Sequence, residues 1–168
     1  IFHEKSKSRP FNFSDVVSEF PVGFKALNQG DEIWLSGKKW RVEIGNGHAP
    51  DHTTLWGLDT PLILAGDQIL PGISSNLGVY PTEPELDTVG DWLDTCHRFL
   101  QLAQNDHFVL PGHNLPFYGV SVRLQQLIDN HISALNRIRK KLSRGRYTAV
   151  DLFKPIFKRE IRENEYAL

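Results

Sequence analysis

The 168 residues are enough for one domain with a sizeable core, and 40% hydrophobic with 23% charged residues is ordinary globular composition. A formal net charge of -1 offers no global field to recruit nucleic acid or a membrane surface, and no apolar run is long enough to span a bilayer. The single cysteine, Cys96, excludes an internal disulfide and fits a reducing, cytoplasmic compartment.

The chain opens on Ile1 and contains no methionine, and its first residues read as neither a signal peptide nor a tag, so it is expected to be a fragment. Residues 1–30 are polar and weakly patterned and read as a linker, with one helical turn from Ser14 to Phe20 ended by Pro21 and Gly23. The pattern sharpens at Asp31. Ile33 to Leu35, a turn at Ser36-Gly37-Lys38, and Lys39 to Ile44 predict a β-hairpin. Trp40, Val42 and Ile44 alternate with Lys39, Arg41 and Glu43, so one face is expected to be buried and the other wet.

Thr53 to Leu58 predicts a further strand, and Leu62 to Ala65 a short strand covered on both faces. Thr82-Glu83-Pro84-Glu85 reads as a capping box opening a helix with Leu86, Val89, Leu93, Cys96, Phe99 and Leu100 on one side. Phe108 to Leu110 predicts another buried strand. A long helix follows from near Val120, striped by Leu124, Leu127, Ile128, His131, Leu135, Ile138 and Leu142 and ended by Gly145. Thr148 to Asp151 is a second capping box, starting a short helix that runs into Pro155. The order predicts an α/β layered fold, with helices on a sheet over residues 31–145 and a further helical element over 146–168.

Three segments share one design, in which a strand ends, a glycine or proline turns the chain, and a metal-binding side chain follows. They are Gly45-Asn46-Gly47-His48-Ala49-Pro50-Asp51-His52, Leu64-Ala65-Gly66-Asp67 and Leu110-Pro111-Gly112-His113. If the strands share a sheet, two histidines and a carboxylate converge, a mixture suited to zinc or a borderline first-row metal. His48 and His52 have helical spacing, but Gly45, Gly47 and Pro50 make the segment a loop, so both are not assigned as ligands.

Other polar residues have simpler readings. The cluster Arg137, Arg139, Lys140, Lys141, Arg144 and Arg146 complements a helix carboxy-terminal dipole and stays solvated. His131 is a hydrogen-bonded core residue, and Cys96 is buried and inert. Tyr118 and Arg123 follow His113 closely and are candidates for lining a pocket.

Taken together, Gly-His-Ala-Pro-Asp-His, Ala-Gly-Asp-Gln and Leu-Pro-Gly-His resemble the second half of the metallo-β-lactamase superfamily. Residues 66–76 resemble a bacterial branch of metallo-hydrolases that continues into a small carboxy-terminal helical domain. The resemblance implies the carboxy-terminal half of an αββα sandwich. It also implies two divalent metals, zinc foremost with iron or manganese as the other candidates. His52 would bind the first metal, His113 the second, and Asp67, the catalytic carboxylate, would bridge them. Asp51 stands where Gly or Cys is more common and would support a ligand, with His48 beside it. The implied chemistry is attack by a metal-bound hydroxide on a small-molecule thioester, ester, lactone or phosphodiester. The superfamily's H-x-H-x-D-H signature is absent from the chain and would belong to a preceding half. The fragment alone is therefore expected to be inactive, and to self-associate or to bind that half. The competing reading is a catalytically inactive folded fragment or assembly module.

Overall fold

The computed structural model describes residue 18 and residues 23–79 and 83–159. Most of the amino-terminal linker, its expected helical turn, and Thr82 of the first capping box lie outside the described residues.

Six strands form one sheet in sequential order: β1 (Glu32–Leu35), β2 (Lys38–Gly45), β3 (His52–Gly57), β4 (Leu62–Gly66), β5 (Phe108–Pro111) and β6 (Phe117–Tyr118). The hairpin β1–β2 turns at Ser36 and Gly37, both at positive φ (52° and 72°), as a two-residue turn matched to strand twist requires. Neighbouring strands are antiparallel except β4 and β5, which run parallel because helix α1 (Thr88–Leu102) crosses between them. The two-residue strand β6 was not legible in the sequence.

Helix α1 starts later than the sequence suggests. Its cap is Asp87, whose carboxylate accepts the Gly90 N–H at 2.9 Å, and Leu86 stays outside the helix and exposed. Helix α2 (Val120–Leu142) starts as expected, after Gly119 in the left-handed region. Helix α3 (Ala149–Phe157) opens with the Thr148–Asp151 pair, in which the Asp151 carboxylate accepts the Thr148 N–H at 2.9 Å. It runs on through Pro155 to Phe157.

One core joins the sheet to α1 and α2. Trp56, Ile63, Ala65 and Val109 from the sheet meet Trp92, Cys96 and Phe99 of α1 and Val120, Leu124 and Leu127 of α2. Trp92 and Phe99 are fully buried, each contributing about 1.5–3 kcal/mol of apolar transfer. Strand alternation puts Leu55, Leu64 and Leu110 on the opposite face, where they form a continuous half-buried row across the register.

The wet face expected for β2 is a correction. Glu43 is buried, because Arg98 of α1 reaches over the sheet to it at 2.8 Å, joined by Arg41 at 3.1 Å and Gln29 at 2.5 Å. A buried carboxylate is tolerable only with such partners. One member of the basic cluster also departs from its expected solvation. Arg137 donates to the carbonyls of Pro155 (2.6 Å) and Ile156 (2.9 Å), tying α3 to α2.

Candidate metal centre

The three strand-end loops meet at one edge. The parallel pairing of β4 with β5 brings their carboxy ends together, and the β2–β3 loop emerges at the same end. On β4 the register slips between Leu64 and Gly66 while β5 advances only from Leu110 to Pro111, so Ala65 is the extra residue of a bulge. Such a bulge turns the chain just before Asp67.

Glycines permit the close packing that follows. A Cβ on Gly66 would stand 2.7 Å from Cε1 of His52, and one on Gly112 would stand 2.2 Å from Oδ1 of Asp67. The Gly112 N–H donates to the Gly66 carbonyl at 2.7 Å, locking the Asp67 and His113 loops together. On the remaining side, Asn46 Oδ1 accepts the N–H of Asp51, which itself sits at φ 51°.

Asp67 is the hub. Its Oδ2 faces Nε2 of His113 at 3.4 Å and Nε2 of His48 at 3.6 Å. Two ligand atoms at ~2.0–2.1 Å from one tetrahedral ion are separated by roughly 3.3–3.4 Å, so both pairs fit ligand spacing. Among the described residues, no three His, Cys, Asp or Glu side chains form a group able to hold one ion. What the described residues bring together is one carboxylate oxygen with an imidazole nitrogen on either side.

Of the two loop histidines, His48 is the one whose Nε2 lies opposite the Asp67 carboxylate. His52 turns Nε2 away from the carboxylate to accept the Asp67 backbone N–H at 3.3 Å. Among the described residues its Nδ1 is buried without a partner, and burial, followed by the neighbouring His48, pulls its pKa below the ordinary value. His48 instead donates Nδ1–H to the Asn76 carbonyl at 2.9 Å and turns Nε2 towards Asp67. The histidine spacing carried no sign of this, because the orientations are set by the β2–β3 loop, where Gly47, just before His48, lies at φ 95° against Trp92 and Asp51, just before His52, at φ 51°.

The two pocket candidates separate. Tyr118 is largely exposed at the sheet edge, its ring 4.6 Å from that of Phe108. Arg123 points to the loop after Asp67, donating to the carbonyls of Leu70 (2.6 Å) and Ile73 (2.8 Å). Sequence reasoning missed that loop. Ser75 Oγ donates to the Asp67 carbonyl, and Asn76 orients His48. A pocket of about 210 Å³ opens beside His48, bordered by Pro50, Leu86 and Thr88.

His131 makes its expected hydrogen bond, and Cys96 is buried as expected. His131 donates Nδ1–H to Leu127 O at 2.9 Å with its ring 4.6 Å from Trp92. Burial pushes the Cys96 thiol up to about 12, against a smaller opposing effect of Arg123.

No family model and no curated protein matches the chain. Solved structures do. A β-lactamase domain protein from Burkholderia ambifaria superposes with TM-score 0.79 at 31% identity, over 88% of this chain and 46% of that one. A metallo-β-lactamase family protein from Thermus thermophilus superposes with TM-score 0.70 at 28% identity, over 83% of this chain and 45% of that one. This chain carries part of the metallo-β-lactamase superfamily fold. A stereoselective inverting sec-alkylsulfatase from Pseudomonas sp., at 15% identity and TM-score 0.55, shares the fold over 71% of this chain. The chain spans under half the length of the first two structures. No helix of the described residues is long and apolar enough to cross a membrane.

Proposed function

We propose that this chain supplies the Asp67 half of a two-metal hydrolase site. Two divalent ions, zinc foremost, would be held by His48 and His113, one each, with Asp67 shared between them, while His52 braces the Asp67 backbone from behind. The observation that carries this reading is the single carboxylate oxygen faced by two imidazole nitrogens at ligand spacing. When bound, such ions supply a nucleophile at neutral pH and polarise the scissile bond. The chain's own residues fix the separation and orientation of the sites. Asp67 is held by its N–H to His52 and its carbonyl to Ser75. His48 is held as the tautomer that leaves Nε2 free. The substrate class consistent with this chemistry is a small thioester, ester, lactone or phosphodiester, in a cytoplasmic setting.

Two donors per ion are too few for a stable site, which normally takes three protein ligands plus water, or four. Residues 1–168 alone are therefore a weak metal binder without hydrolytic activity, and the remaining ligands come from elsewhere in the assembled protein. Zinc titration tests the reading. His48→Ala and His113→Ala should each abolish half of the weak binding, Asp67→Ala nearly all of it, and His52→Ala should weaken it without removing a ligand. Unchanged stoichiometry in Asp67→Ala would contradict the bridging role.

A further inference from the structure

The segment from Asp67 to Asn76 holds the site at two points, and α2 holds that segment. Ser75 Oγ donates to the Asp67 carbonyl, and the Asn76 carbonyl accepts from His48 Nδ1 at 2.9 Å. A carbonyl only accepts, so this bond requires the proton on Nδ1, and in the neutral imidazole that leaves the lone pair on Nε2. The carbonyl belongs to the backbone, so its position depends on how the loop is fastened. Ile69 and Leu70 bury their side chains in or beside the core at the start of the loop. Beyond them, Arg123 donates Nε–H to Leu70 O at 2.6 Å and Nη2–H to Ile73 O at 2.8 Å. One planar guanidinium spanning two carbonyls fixes both the position and the tilt of the turn, and an ammonium cannot reproduce that fork.

We infer that Arg123 is a positioning residue for the His48–Asp67 pair, acting through the 70–76 loop to hold His48 in its Nδ1–H tautomer. It touches neither side chain itself. The tautomer part stands on the apo geometry, and the consequence for metal affinity rests on the metal-site reading above.

The test uses the whole 168-residue chain, uniformly labelled with ¹⁵N, at a pH where its imidazoles are neutral. Long-range ¹H–¹⁵N spectra report which ring nitrogen of His48 carries the proton. Wild type should show the Nδ1–H form. Arg123→Gln and Arg123→Lys should both shift His48 towards the Nε2–H form, and amides of the 70–76 loop should exchange faster. The control is Arg137→Gln, which removes a comparable pair of bonds to Pro155 and Ile156 on the same helix. It should lower stability and leave the His48 spectrum unchanged. If Arg123→Gln does not fold, Arg123→Lys decides. Zinc affinity, by competition with a chromophoric chelator, should fall roughly 10–100-fold in the Arg123 variants only. A wild-type His48 spectrum in a folded Arg123 variant, or an equal shift in Arg137→Gln, overturns the inference. A tautomer shift in chains that bind no zinc at all keeps the inference and removes the metal reading.

Discussion

Replacing Gly112 by alanine isolates the closest contact in the site. Gly112 does not lie at positive φ, so alanine brings no backbone strain and the effect is steric alone. The new Cβ would stand 2.2 Å from Asp67 Oδ1 and 3.1 Å from the Gly66 carbonyl carbon. An ordinary carbon–oxygen contact needs roughly 1 Å more, so the Asp67 carboxylate must swing away or the two loops must part. Overpacking of this kind costs about 1–3 kcal/mol. For a chain of this size, about 2 kcal/mol lowers Tm by roughly 4–8 °C. The carboxylate shift of about 1 Å exceeds the tolerance of about 0.2 Å on ligand distances, so metal binding should be lost as well. Both effects can be read by differential scanning fluorimetry with and without zinc. For a Kd on the order of 0.1 mM, about 1 mM zinc stabilises wild type by about 1.4 kcal/mol, and this increment should vanish in Gly112→Ala. Gly72→Ala serves as control, since its Cβ meets nothing within 4 Å and its φ is not positive. Wild-type Tm and wild-type zinc response in Gly112→Ala would refute the packing argument.

Leu124→Ala, at a fully buried position between α2 and the sheet, should cost about 2–5 kcal/mol in urea unfolding, and a loss below about 1 kcal/mol would mean that the core closes over the gap. Stability should fall as the pH drops below about 6.5. Burial holds the His107 pKa below its ordinary value, Asp106 opposing, so in that window the unfolded chain binds a proton that the folded chain refuses. His107 Nδ1 also accepts the Gln104 N–H at 3.0 Å, a lone pair that protonation would remove. The difference in urea midpoint between neutral and mildly acidic buffer should therefore shrink in His107→Gln. Cys96, with its thiol pushed up to about 12, should resist an aromatic disulfide reagent in native buffer and react stoichiometrically in denaturant.

The periodic parts of this fold were legible in the sequence for a simple reason. Leu124, Leu127 and Ile128 on α2, and Ile63 and Val109 in the strands, are buried according to their spacing. What escaped depends on contacts between distant segments. Glu43 has the alternation of an exposed residue, and only the arrival of Arg98 from α1 makes it a buried one. The bulge at Ala65 is defined by the partner strand and has no signature of its own. In the site, Asp67 and His113 were legible as strand-end residues that meet. Which of His48 and His52 faces the Asp67 carboxylate depends on the Asn76 carbonyl and the Asp67 N–H, both set by loops whose course their residue types do not dictate.

The parallel pairing of β4 with β5 has a consequence for how an ion would act on the chain's folding. The β1–β2 hairpin and the β2–β3 pair close short, local loops. Asp67 and His113 come together only when the whole β4–α1–β5 unit has closed, the slower kind of contact because chain entropy is lost first. An ion held between them would tie that long loop and leave the hairpin untouched. Binding should then slow opening of the β4–β5 seam while β1, the strand farthest from it, exchanges its amide hydrogens at the metal-free rate, so that a ligand at one end of the sheet divides a uniform domain into a fastened part and a breathing one.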